Sequence, residues 1–123
     1  MTTPGLAAAL RACADGIHAH EASIELLISH ARWLDRSDFT STLIEASGGM
    51  AAIDWTAAAA ALTCGELPCS SGERGILQLA ASLADDIPVP LGTAITSLDR
   101  RNISLLIRAI LHASGQPGSC LPC

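Results

Sequence analysis

The sequence predicts an all-α, single-domain bundle of about five helices, of which the N-terminal one is long. Three observations support this class: an apolar stripe of helical period near the N terminus, helix start and stop signals further along, and no alternating run long enough for a sheet. The 123 residues are 50% hydrophobic, which is enough for one domain with a real core. We expect residues 1–114 to form this domain and residues 115–123 to form a disordered, Cys-containing tail.

The first helix is predicted from about residue 4 to residue 33. Apolar positions recur in it at alternating steps of four and three, which places them on one face. Gly16 lies in mid-helix, where we expect another helix to approach closely. The positions beside the stripe are mostly small and uncharged, which favours a multi-helix bundle over a two-stranded coiled coil. The stripe consists of Leu6, Leu10, Cys13, Ile17, His20, Ile24, Leu27, Ala31 and Leu34.

Shorter helices are predicted from their capping residues. Ser37 and Asp54 are expected N-caps of the second and third helices, and Gly65 is expected just past the end of the third. Ser70 and Glu73 have the spacing of a capping box, which opens the fourth helix.

The last helix is predicted over about residues 99–113, with Thr96 or Ser97 as its cap. It is apolar on most sides, so we expect it to be the central helix, packed against the first. A short extended pair could form only at Val89 and at residues 50–53.

Composition excludes some function classes. The net charge is −5, which argues against non-specific nucleic-acid binding. No targeting segment and no apolar run long enough to span a membrane are visible, so we expect a cytoplasmic protein. Only 15% of residues are charged, so we expect a partner protein or a second copy to cover part of the surface.

Cysteine spacing leaves a zinc site open as an alternative. Cys64 and Cys69 form a Cys-x4-Cys pair, and Cys120 and Cys123 form a Cys-x2-Cys pair at the chain end. Four thiolates can hold zinc tetrahedrally. The other interpretation is free thiols in a reducing cytosol, with Cys13 as a small core residue.

Histidines and carboxylates give no clear ligand set. His18 and His20 point to different sides of a helix, and His20 falls on the apolar stripe, as an interior or interface histidine would. Glu21 and Glu25 lie one turn apart, but no histidine follows at the Glu-x-x-His offset, so a solvated face is expected. His112 has no evident partner.

No catalytic constellation is recognisable. Nucleophile elbows, zinc-protease motifs, phosphate loops and dinucleotide fingerprints are all absent from the sequence. We therefore expect a non-enzymatic protein without a cofactor.

Residues 67–114 resemble a group of small uncharacterised actinobacterial proteins. The resemblance rests on residues 67–74 (LPCSSGER), 79–84 (LAASLA), 97–102 (SLDRRN) and 110–113 (ILHA). It implies a bacterial, cytoplasmic origin and carries no functional residues with it.

The best functional hypothesis is a protein–protein interaction module that acts as a homodimer. One alternative is a small DNA-associated regulator, suggested by Arg100, Arg101 and Arg108. Another is a metal- or small-molecule-binding helical protein. The candidate interface residues are Leu10, Ile17, His20, Ile24 and Leu27.

Overall fold

The structure is a computed structural model that describes residues 4–115. Within that range the chain is mostly helical, with seven helices and one two-stranded sheet. The prediction of a mostly helical fold is thus confirmed, whereas the prediction of five helices without strands is wrong. The predicted tail lies, apart from Gly115, outside the described residues. The elements are α1 (Pro4–Ala14), α2 (His18–His30), α3 (Ser37–Leu43), β1 (Ile44–Ser47), β2 (Met50–Ile53), α4 (Trp55–Thr63), α5 (Ser71–Asp85), α6 (Leu91–Thr96) and α7 (Arg100–Ala113).

The predicted long N-terminal helix is two helices, α1 and α2, separated by a break at residues 15–17. Gly16 adopts a φ of +91°, a conformation that interrupts a right-handed helix and that glycine tolerates best. Ile17 is extended, and its side chain is 53% exposed although it falls on the apolar stripe. Nothing lies within 4 Å of the position that a Gly16 Cβ would take, so no helix approaches closely there.

A β-hairpin directly follows α3. Ser37 is the first residue of α3 rather than its cap, and α3 ends at Leu43. β1 and β2 then pair antiparallel, with Ser47 opposite Met50. Gly48 and Gly49 both have positive φ, as a two-residue type I′ turn requires. The sequence allowed a short extended pair only at Val89 and residues 50–53. Residues 50–53 are β2, but its partner β1 was not predicted.

Helix α5, not the last helix, is at the centre of the fold. Half or so of its residues are buried, and it packs against α2, α4, α6 and α7. By contrast, α7 buries Asn102, Leu106 and Ala109, and leaves Ile107 and Ile110 exposed. The last helix was expected to pack against the first. The second half of that predicted helix, α2, does contact α7 as well as α5, whereas the first half, α1, packs against β2.

The close helix–helix approach expected at Gly16 occurs instead at Gly75 in α5. A Cβ at Gly75 would meet the Ser97 hydroxyl oxygen at 2.6 Å and the Ala94 carbonyl oxygen at 2.9 Å. Both atoms belong to α6 or the residue that follows it, so any side chain at this position would push α6 away from α5.

Most capping predictions are confirmed. Asp54 accepts a hydrogen bond from the Ala57 amide, and Ser70 and Glu73 form the complete capping box. Gly65, which follows the C-cap residue Cys64 of α4, has positive φ. The N-cap of α7 is Asp99 rather than Thr96 or Ser97. The Asp99 side chain accepts a hydrogen bond from the backbone amide of Asn102.

A buried histidine ends α2. His30 is 4% exposed, and its Nδ1 has no hydrogen-bond partner. Burial lowers the pKa of the imidazole, and the charges of Arg101 and Arg32 lower it further, against the opposing effect of Glu73 and Asp99. His30 is therefore uncharged in the folded protein at neutral pH.

Substitution of Gly16 tests the break between α1 and α2. Because a side chain disfavours positive φ, Gly16→Ala is expected to destabilise the protein by about 1–2 kcal/mol. In a continuous helix the same change would stabilise by up to about 1 kcal/mol. Gly5→Ala, inside α1 with open space around it, is the control and is expected to stabilise. Urea unfolding measures the sign of the change in the free energy of unfolding. If Gly16→Ala stabilised the protein, that result would contradict the break.

Acid should destabilise the fold through His30. The unfolded imidazole has an ordinary pKa near about 6.5, so below that pH the unfolded state takes up a proton that the folded state resists. The free energy of unfolding should therefore fall as the pH drops from about 7 to 5, by at most about 1.4 kcal/mol per pH unit from this group. His30→Leu should flatten that slope in urea titrations, and an unchanged slope would contradict the assignment.

Candidate metal centre

Two imidazoles and a carboxylate converge where α2 begins and α7 ends. His18 and Glu21 lie in the first turn of α2, and His112 lies in the last turn of α7. The Glu21 Oε1 atom is 3.0 Å from His112 Nε2 and 3.4 Å from His18 Nδ1. One ligand atom from each residue lies within 4.8 Å of the other two. We call these three residues the HEH cluster.

Local structure orients the Glu21 carboxylate. The break before α2 leaves the Gly16 amide without a helical partner, and it donates a 2.9 Å hydrogen bond to Glu21 Oε2. The other oxygen, Oε1, faces the imidazoles. His18 and Glu21 are three residues apart, so both side chains lie on the same face of α2.

Hydrogen bonding keeps Glu21 ionised. The Gly16 amide has the largest effect and lowers the pKa of the carboxyl group, and the hydrogen bonds with His112 and His18 lower it further, whereas burial opposes them. A carboxylate must be deprotonated to bind a metal ion. Glu21 therefore meets that condition at neutral pH.

The spacing of the cluster suits a zinc ion. Zinc lies about 2.0–2.2 Å from imidazole nitrogen and carboxylate oxygen, so neighbouring ligands in a tetrahedron are about 3.3–3.6 Å apart. Two of the three separations, those at Glu21 Oε1, are close to this, at 3.0 and 3.4 Å, and the third, between the two imidazoles, is within 4.8 Å. The side chains of His18, His112 and Glu21 are 63%, 36% and 25% exposed, so an ion can reach them from solvent.

A cleft of about 290 Å³ adjoins the cluster between the end of α1 and the start of α2. Glu21 and His112 line it together with Arg11, Asp15 and Glu25. The Arg11 guanidinium donates to both oxygens of Glu25, at 2.7 and 3.1 Å, so these two charges compensate each other. The carboxylates of Asp15 and Glu21 leave this cleft with an excess of negative charge, which favours a cation.

The candidate interface residues do not share one exposed face. Leu10, Ile24 and Leu27 are buried in the core of this chain, and Ile17 stands exposed in the break. His20 is half-buried, and with Leu10 and Ile24 it lines a small cavity of about 150 Å³. The apolar stripe is thus covered largely by the chain itself.

None of the cysteines within the described residues belongs to the HEH cluster. Cys64 and Cys13 are exposed, which corrects the expectation that Cys13 is a core residue. Cys69 is half-buried, and burial raises the pKa of its thiol. In the part of the chain that the structure describes, neither Cys64 nor Cys69 joins a group of three metal-ligating side chains. Cys120 and Cys123 lie outside the described residues, so the four-cysteine zinc site stays a prediction.

Sequence reasoning missed the HEH cluster although half of its signal was present. In the Glu-x-x-His spacing the histidine follows the glutamate, whereas His18 precedes Glu21 by three residues. Either order places both side chains on one helical face. His112, which had no evident partner in the sequence, lies 91 residues from Glu21 and binds it in the structure. Only the packing of α7 on α2 could reveal that third ligand.

No known family model matches the chain, and comparison with curated proteins and with solved structures gives no match. The resemblance of residues 67–114 to small actinobacterial proteins stays a prediction. None of the helices in residues 4–115 combines the length and the apolar character that a membrane span needs.

Proposed function

We propose that this protein binds a divalent transition-metal ion, with zinc as the first choice, at the HEH cluster. The observation that carries the proposal is the convergence of His18, Glu21 and His112 ligand atoms within 4.8 Å of one another. Imidazole is a good ligand for zinc, copper and nickel, and two histidines with one glutamate are a known zinc donor set. The proposal concerns binding and assigns no reaction.

A bound ion would join two elements that are distant in sequence. It would bridge the beginning of α2 to the end of α7, and a ligand that binds only the folded state stabilises it. At a free metal concentration about 100 times the dissociation constant, the gain is about 2.7 kcal/mol. Metal binding and thermal stability should therefore rise together.

Metal titration of chelator-treated protein tests the proposal. We expect one zinc ion per chain by calorimetry, and we expect His18→Ala and His112→Ala each to weaken binding at least tenfold, or about 1.4 kcal/mol, since each removes one of three ligands. His20→Ala is the matched control, because this histidine lies on the same helix outside the cluster and should leave the affinity unchanged.

The same titration separates this site from the four-cysteine alternative. All variants are repeated in a C120S/C123S background, in which the proposed HEH site should bind zinc undiminished. Zinc binding that disappears in C120S/C123S but survives His18→Ala and His112→Ala would overturn the proposal. Absence of binding by the wild-type chain would overturn it as well.

We also propose, as a second candidate, that the protein acts as an interaction module through a homodimer. Ile107 and Ile110 favour it, because they lie three residues apart on one face of α7 and are 39% and 51% exposed. A two-fold contact would bring this face against the same face of a second copy. The surface differs from the stripe predicted by the sequence, whose aliphatic members are mostly buried.

Light scattering over a range of concentrations tests the dimer. We expect the mass to rise toward that of two chains, and the double substitution I107S/I110S to weaken the dimer at least tenfold by removing apolar area. Leu91→Ser is the control, since Leu91 is similarly exposed, at 55%, but lies on α6. A monomeric mass at every concentration would contradict this candidate.

A further inference from the structure

A polar cleft of about 640 Å³ lies at the opposite end of α2 from the HEH cluster. It forms where the end of α2 meets the beginnings of α5 and α7, and its lining includes His30, Arg32, Glu73, Arg101 and Asn102. With a rise of 1.5 Å per residue, the 13 residues of α2 separate the two regions by about 18 Å. The cleft therefore shares no residue with the proposed metal site. Its volume is in the range of small-molecule sites.

Two residues that line this cleft, His30 and Asn102, each carry a buried polar atom with no partner among the described residues. The Nδ1 of His30 and the Oδ1 of Asn102 make no hydrogen bond, although the two residues are only 4% and 9% exposed. Leaving such an atom unpaired destabilises the folded protein. Native proteins tolerate few of these atoms, and a ligand that bonds to both would remove this destabilisation.

The lining of the cleft carries two guanidinium groups, of Arg32 and Arg101, and two carboxylates, of Glu73 and Asp99, so its formal charge is balanced. The exposed guanidinium of Arg32 lines it, as does that of Arg101, which uses one nitrogen to donate to the Ser29 carbonyl oxygen at 2.9 Å. The Glu73 carboxylate accepts from the Ser70 amide, and the Asp99 carboxylate accepts from the Asn102 amide. The two acids thus serve as helix caps, whereas the arginines retain donors that can bind an anion.

Two helices direct their N-termini into the same cleft. The first turns of α5, which has 15 residues, and of α7, which has 14, both contribute lining residues. A helix N-terminus presents backbone amides and a partial positive charge, which favours an anionic group. In each first turn one backbone amide already binds the cap, that of Glu73 to Ser70 and that of Asn102 to Asp99. Gly72 allows close packing in the first turn of α5, since a Cβ there would lie 3.4 Å from the Ser97 carbonyl oxygen.

We propose that this cleft binds a small organic anion that carries a hydroxyl or amino group next to its carboxylate or phosphate. The arginines and the helix N-termini hold the anionic group. The unpaired Asn102 Oδ1 can only accept, so it selects a ligand with a hydrogen-bond donor. A neutral His30 imidazole can donate to the anion or accept from the donor, according to its tautomer. The site is a binding site distinct from the HEH cluster.

Calorimetric titration with four probes tests this proposal in the presence of a metal chelator. L-serine, L-lactate and glycerol 3-phosphate carry both groups, whereas inorganic phosphate carries the anion alone. At least one organic probe should bind at least tenfold more tightly than inorganic phosphate. The probe that binds identifies whether the ligand is an amino acid, a hydroxy acid or a phosphate ester.

Substitutions locate the binding. Arg32→Gln removes an exposed guanidinium and should leave the fold intact, and it should weaken the binding probe at least tenfold, as should Asn102→Ala. Arg108→Gln is the control, because it removes an exposed arginine of α7 that does not line the cleft. His112→Ala should have no effect, which separates this site from the metal site.

Three results would overturn the proposal. The first is that no organic probe binds at concentrations up to about 10 mM. The second is that inorganic phosphate binds as tightly as every organic probe, which would show an anion site without selection by Asn102. The third is that Arg32→Gln and Arg108→Gln have equal effects, which would place the binding outside the cleft.

Discussion

The positive φ of Gly16 is the constraint on which the rest of the structure depends. It ends α1, and it turns that helix away to pack against β2 rather than continue in line with α2. The Gly16 amide, which lies in this break, donates to the Glu21 carboxylate. In a continuous helix, this N–H would donate to the backbone carbonyl four residues earlier. The fold and the orientation of the Glu21 carboxylate therefore arise from one break.

The pairing of α2 with α7 turns that local geometry into two separate polar regions. His18 at the start of α2 faces His112 at the end of α7, whereas His30 at the end of α2 lies beside the start of α7. At this end, the Arg101 guanidinium of α7 donates a hydrogen bond to the Ser29 carbonyl oxygen of α2. Helix α5 packs against both helices between these two polar ends.

The sequence predicts features that depend on a few neighbouring residues. Asp54, the Ser70–Glu73 box and Gly65 act within one turn of their own positions, so their roles were predictable. The apolar period wrongly predicts one continuous helix through Ile17. Two helices on either side of a break can keep the same period, so the period alone does not reveal the break. The apolar content of the last helix wrongly predicted that this helix is central, because composition does not show which face of α7 packs against another helix. His112 required the tertiary packing itself.

Glu21 has a structural role that does not compete with metal binding. Its Oε2 accepts from the Gly16 amide and so fixes the start of α2, while its Oε1 faces both imidazoles. A carboxylate has enough acceptor sites to serve both directions at once. The hydrogen bond to Oε2 is also the kind of contact that orients a ligand around a metal and is often needed for its affinity. The hydrogen bond to Gly16 and the proposed metal contact are thus two functions of one side chain, each using a different oxygen.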